Sequence, residues 1–183
     1  APKAIAEAAF AEMTEKLEEL TAQIERLRSN QPHLFLNPED CVNQGNTLFA
    51  EGRYEAAVVA YNRALELKPD NPDVWYQLGI AHWELQQYEK AIAAYDKVLE
   101  VRPNNPETWY QRGLALKELK RYEGAFAAFN KVLKVEPNDE KAWFQRGIVL
   151  GRANKLVEAI AAYDKAVEIN PQYYQAWIDR GVA

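Results

Sequence analysis

Apolar residues recur along this chain with two rhythms. Over residues 1–30 the sequence places Phe10, Met13, Leu17, Leu20, Ile24 and Leu27 at intervals of 3, 4, 3, 4 and 3. That is an a/d heptad stripe, and it predicts one amphipathic helix. From residue 38 the pattern changes to short helical stretches, with Trp75, Gly79 and His82 on one and Ala91, Tyr95 and Val98 on the next. Turn signals bound them. Leu85-Gln-Gln-Tyr-Glu-Lys and Leu119-Lys-Arg-Tyr-Glu-Gly separate one helix from its partner, while Pro69-Asp-Asn-Pro and Pro103-Asn-Asn-Pro separate one pair from the next. Asn71 and Asn105 are expected N-caps, with Pro72 and Pro106 in the first helical turn, where a missing N–H costs nothing.

The pairs repeat. Gly45, Gly79, Gly113, Gly147 and Gly181 are each the previous number plus 34, and Pro69, Pro103, Pro137 and Pro171 keep the same interval. Trp75, Trp109, Trp143 and Trp177 stand four residues before a repeat glycine, and Cys41 takes that place in the first unit. Ala57, Ala91, Ala125 and Ala159 follow each glycine by twelve residues, with Tyr61, Tyr95, Phe129 and Tyr163 four further on. The divisions read as a helix over 1–30, a linker over 31–37, full units at 38–71, 72–105, 106–139 and 140–173, and a partial fifth at 174–183.

This Trp…Leu-Gly…Tyr…Ala…Phe…Pro pattern resembles the tetratricopeptide-repeat family, and it is met almost throughout residues 38–183. The departures are modest. Cys41 replaces an aromatic, His82, Leu48, Leu116 and Leu150 stand where tyrosine is common, and Arg112, Arg146 and Arg180 replace the leucine before glycine. The resemblance implies an all-α fold, a right-handed superhelical solenoid of two-helix units with an extra N-terminal helix. Because such a unit cannot bury its apolar face alone, units must stack. The glycine and alanine columns then allow close helix approach, and the tryptophan is expected, as a buried side chain, to fill the gap to the preceding unit.

Three roles stay open for the N-terminal helix: a cap folded over the first unit, self-association through its heptads, or contact with another protein. Its flanking positions hold Thr14, Lys16, Thr21 and Gln23 rather than paired charges. Leu34 to Leu36 are expected to anchor the linker on the first unit. A natural domain seldom stops two residues after a repeat glycine, so the end at Ala183 reads as a fragment boundary.

Charge narrows the partners. Lysine plus arginine total 22 against 27 aspartate plus glutamate, a net charge of -5 with no basic block, which argues against nucleic acid. No apolar run approaches the roughly 18 residues of a membrane span. The single cysteine, Cys41, points toward a reducing compartment, the cytoplasm. Catalytic material is thin. Ser29 is the only serine, and His33 and His82 are the only histidines; Ser29 falls in the linker region, while Cys41 and His82 fall on core columns of the repeat. No Cys/His spacing suits a metal, no glycine-rich loop suits a phosphate, and acidic residues such as Glu18 and Glu19 read as a solvated helix face. No cofactor and no enzyme activity are expected.

What remains is the surface made by stacking. The first helices carry a second stripe at i, i+4, i+7: Tyr76, Ile80 and Trp83; Tyr110, Leu114 and Lys117; Phe144, Ile148 and Gly151; with Val42, Asn46 and Phe49 in the first unit. By resemblance these helices line a concave groove. Gln77, Gln111 and Gln145 form a polar column beside the stripe, able to donate to and accept from a peptide backbone. Packing of Tyr76, Tyr110 and Phe144 against neighbouring first helices is the competing explanation. Some relatives hold acidic chaperone tails with a lysine, two asparagines and further basic residues. Here only Asn46 matches, among Val42, Gln77, Glu107 and Gln111, which argues against that carboxylate clamp; Lys117, Lys141 and Arg152 lend the later units some positive character. The expected function is a scaffold binding a protein or peptide in the groove. A homo-oligomeric scaffold built through the heptad helix and a recruiting domain of a larger enzyme are the alternatives.

Overall fold

The structure is a computed structural model that describes residues 2–31 and 37–182. Ten helices and no strand occur among the described residues. Helix α1 spans Pro2–Asn30, and then come α2 (Pro38–Ala50) with α3 (Tyr54–Leu67), α4 (Pro72–Glu84) with α5 (Tyr88–Val101), and α6 (Pro106–Glu118) with α7 (Tyr122–Val135). The series closes with α8 (Glu140–Arg152), α9 (Leu156–Ile169) and α10 (Tyr174–Val182). Substantial packing from α2 onward runs between helices adjacent in sequence, with α6 also touching α8. That one-dimensional contact pattern is what makes the array a solenoid.

Local chemistry starts and stops the helices. The side chains of Asn37, Asn71, Asn105 and Asp139 accept backbone N–H groups in the first turns of α2, α4, α6 and α8. Proline opens the first three of these, as its missing donor and fixed φ allow. Inside each unit one residue takes a left-handed conformation: Gly52, Gln86, Lys120 and Asn154, with φ of 74°, 56°, 58° and 61°. The chain folds back tightly there, as Gln86 N–H reaches Trp83 O and Gln87 N–H reaches His82 O, both at 2.8 Å.

The glycine column marks where paired helices touch. A Cβ on Gly113 would lie 2.8 Å from Phe129 Cε1, and one on Gly45 2.5 Å from Tyr61 Cε1. Those rings are fully buried, as are Ala57, Ala91, Ala125 and Ala159. Cys41, 1% exposed, joins the core of the first unit, and His82 is buried on its column.

The tryptophans differ from expectation. Trp75, Trp109 and Trp143 are half-buried rather than buried, and Trp177 is exposed. Each indole Nε1–H donates to the carbonyl of the preceding unit's proline, Pro69, Pro103, Pro137 or Pro171, at 2.8 to 3.1 Å. An N–H committed to a surface turn holds one edge of the ring near water. The arginines before glycine complete the joint. Arg112, Arg146 and Arg180 lie 5.5, 5.2 and 5.4 Å from the tryptophan centroids of their own units. They also reach sixteen residues back, to Asp96 at 2.7 Å, Asn130 at 2.9 Å and Asp164 at 2.5 Å.

Helix α1 is not a cap. Phe10, Met13, Leu17, Leu20, Ile24 and Leu27 are between 47 and 68% exposed, so the stripe lies uncovered instead of sealing the first unit. The anchor expected of Leu34 to Leu36 lies outside the described residues, as does His33. Among the described residues, no helix is long and apolar enough to cross a membrane, and no group of His, Cys, Asp or Glu could hold a metal ion.

Candidate functional site: the face of the first helices

Side chains at i, i+4 and i+7 of α2, α4, α6 and α8 share one face of each helix. Stacking sets these faces side by side, and contacts between them show which groups are already committed. Tyr76 Oη donates to Glu107 Oε1 on α6 at 2.8 Å, with the Gln111 side chain nearby. Tyr110 lies near Gln145 in the same way, one unit on. Burial is the main reason the Tyr110 phenol is pushed up to about 12, and it raises Tyr76 as well. Both phenols are neutral hydrogen-bonding groups.

These contacts change the reading of the amide column. Gln145 ties one unit to the next, because its Oε1 accepts from Lys117 Nζ at 3.0 Å, while Gln111 lies beside Tyr76. In the first unit Val42 stands where Tyr76 and Tyr110 stand in the next two, so Gln77 meets no phenol there. Asn46 is exposed, and its Oδ1 accepts from Tyr61 Oη at 2.8 Å.

Phe144 does not line the face. It is 6% exposed, with its ring centroid 4.9 Å from Tyr173 and 5.9 Å from Tyr163, and it belongs to the core of the last units. Tyr173, in the turn before α10, closes over it. Tyr76 and Tyr110 also lean on second-helix rings, 6.0 Å from Tyr95 and 5.6 Å from Phe129, but remain half-buried. Packing therefore accounts for Phe144 fully and for the two tyrosines in part.

Phe49, Ile80, Trp83, Leu114 and Ile148 are likewise half-buried, and all but Ile80 pack against the core. Phe49 and Trp83 are held edge-on by Tyr54 and Tyr88, at 5.1 and 5.0 Å between centroids. Tyr54, Tyr88 and Tyr122 stand 34 residues apart, with Leu156 in the fourth unit. That column is legible in the sequence and was not assigned to the site there. Tyr122 reaches the face through a cleft of about 420 Å³ that it lines with Lys117, Glu118, Lys120, Ile148 and Arg152. Three cations against one carboxylate make this end positive, although Lys117 also lies 3.6 Å from Glu118. At the other end of the same helices, Glu107, Tyr110 and Lys141 line a cleft of about 390 Å³ with Asp139 and Glu136. Its carboxylates give this face an acidic edge opposite the basic one.

Sequence profiles for tetratricopeptide repeats match residues 45–86, 78–146 and 140–173. No curated protein matches the chain. Among solved structures it is similar to the MamA protein, with a TM-score of 0.76 at 21% identity over 79% of each chain. It is also similar to MamA of Desulfovibrio magneticus RS-1, with a TM-score of 0.72 at 27% identity over 76% of this chain and 78% of that one. YrrB, described as a TPR protein with an unusual peptide-binding site, shares the fold with a TM-score of 0.71 at 23% identity, over 86% of this chain and 80% of its own.

Proposed function

The chain belongs to the tetratricopeptide-repeat family, and from that premise we propose that it is a protein-interaction scaffold whose ligand is a peptide segment laid across the first helices of its units. The observation that carries this reading is the run of Phe49, Ile80, Trp83, Leu114 and Ile148, which stay partly exposed along the face although Phe49, Trp83, Leu114 and Ile148 also pack on the core. A large aromatic steadied by a neighbouring ring, as Trp83 is by Tyr88, gives contact area at low entropic cost. Gln77, three residues before Ile80 on α4, supplies a backbone-binding amide. The cleft of Lys117, Lys120 and Arg152 accepts an acidic side chain or a terminal carboxylate of the ligand.

Selection of peptides from a random display library on the parent chain tests the reading. The enriched peptides are expected to lose roughly tenfold or more in affinity for Ile80→Asp/Trp83→Ala, in line with loss of an aromatic anchor. Val59→Asp, at a 69% exposed position of α3, is expected to bind like the parent. Circular dichroism checks that both variants remain folded. Equal binding by the groove variant, or no peptide enriched at all, would overturn the proposal.

A further inference from the structure

Helix α1 carries a surface that the groove does not use. Six large apolar side chains lie open along its 29 residues, and their spacing fixes a heptad register with Phe10, Leu17 and Ile24 at a and Met13, Leu20 and Leu27 at d. The width of the stripe identifies what it suits. A helix that covers a globular core adds apolar residues at e or g and spreads its stripe beyond about 100°, whereas a seam confined to a and d belongs to a coiled coil. Here e holds Thr14, Thr21 and Arg28, and g holds Ala9, Lys16, Gln23 and Asn30, so a single small residue is all that the flanks add to the apolar seam.

The charges agree with that register. Glu12, Glu15, Glu18, Glu19 and Glu25 all fall at b, c or f, on the outer face. Lys16 turns outward to Glu12 at 2.6 Å, and Arg28 to Glu25 at 3.1 Å. The hydroxyls of Thr14 and Thr21 donate to Phe10 O and Leu17 O within the helix, both at 2.8 Å, so these flanking residues do not need water to satisfy their donors. We infer that α1 pairs with α1 of a second copy of this chain as a two-stranded coiled coil, so that one assembly presents two grooves.

Self-pairing is favoured because nothing in the seam opposes it. In a parallel pair Lys16 faces Thr21 and Gln23 faces Arg28; in an antiparallel pair Lys16 faces Gln23 and Thr14 faces Thr21. Neither direction brings like charges together, and the two flanking cations, Lys16 and Arg28, are met by Glu12 and Glu25 of their own helix, so the seam does not call for an acidic partner helix.

Sedimentation equilibrium of the full chain over rising concentration tests the inference. The parent is expected to pass reversibly from monomer to dimer, and Leu17→Asp/Leu20→Asp to stay monomeric throughout. Leu17→Ala/Leu20→Ala keeps helix-forming residues but removes the seam, and its dissociation constant should rise at least about tenfold, the effect of losing buried leucine surface. Glu18→Ala, on the outer face, is expected to dimerise like the parent. Because α1 leaves its stripe uncovered by the solenoid, the solenoid's thermal unfolding should be the same in all four proteins. A parent that is monomeric at every concentration, a mass beyond two copies, or a dimer that survives the double aspartate variant would overturn the inference.

Discussion

At the scale of single residues, the same residue type does different work at equivalent places in the repeat. Gly113 is pressed against the buried Phe129 ring, whereas a Cβ on Gly181 would meet nothing within 4 Å. Gly113→Ala is therefore expected to overpack the joint and cost about 1–3 kcal/mol, more than its gain in helix propensity returns. Gly181→Ala should be neutral or stabilise by up to about 1 kcal/mol. Denaturant titration of the two variants checks this, and similar effects would show that the glycine column is not set by the facing ring.

His82 gives a pH dependence with a definite sign. The leucines at its column, Leu48, Leu116 and Leu150, show that the site suits an apolar side chain, and His82 is 8% exposed with Nδ1 2.9 Å from Gln87 Oε1. Burial pushes its pKa below the usual histidine value, and Lys90 adds to the shift, while the Gln87 bond opposes it. The unfolded chain therefore takes up the proton more readily than the folded one. The stabilising contribution is whole above the unfolded pKa of about 6.5 and is lost as pH falls through that value toward the folded one. Between about pH 8 and about pH 5, His82→Leu should lose less melting temperature than the parent. Equal losses would place the acid sensitivity elsewhere.

At the scale of helices and their joints, the sequence was most legible where a single column carries its own meaning. Glycine, alanine and aromatic columns at one period predict paired helices, and Asn71-Pro72 and Asn105-Pro106 predict the helix starts, because caps and close approaches depend on residues near in sequence or held in strict register. What was harder to read depends on two columns at once. Arg112 with Asp96, Arg146 with Asn130 and Arg180 with Asp164 share a sixteen-residue offset that was present in the sequence, but only stacking brings the partners together. Lys117 with Gln145 and Tyr76 with Glu107 are 28 and 31 residues apart, neither a whole repeat, so the period alone does not show that Lys117 engages one member of the amide column. For Phe144 the sequence leaves lining and packing both open, for a related reason. Tyr173, the residue that covers it, lies in the turn before α10, where the period gives no aromatic in the other units.

At the scale of the whole molecule, neighbour-only packing makes stability a local property graded along the array. Units in the middle are held on both sides by Trp–Pro bonds, arginine bridges and buried rings. The substantial packing of helix α10 is against α9, and Tyr174, Trp177 and Ile178 are 72, 46 and 59% exposed. Opening α10 therefore breaks one interface, whereas opening α6 breaks those on both of its sides, and native-state hydrogen exchange should report the difference. Amides of α10 are expected to exchange through a small local opening, and those of α5 to α7 only through events close to global unfolding. In α1 the stripe is uncovered, so its protection should be low in dilute solution and rise with protein concentration if two copies pair there. Protection of α1 that is high and independent of concentration would mean that the helix is held by its own solenoid. Uniform protection from α2 to α10 would mean that the array unfolds as one unit despite its neighbour-only contacts.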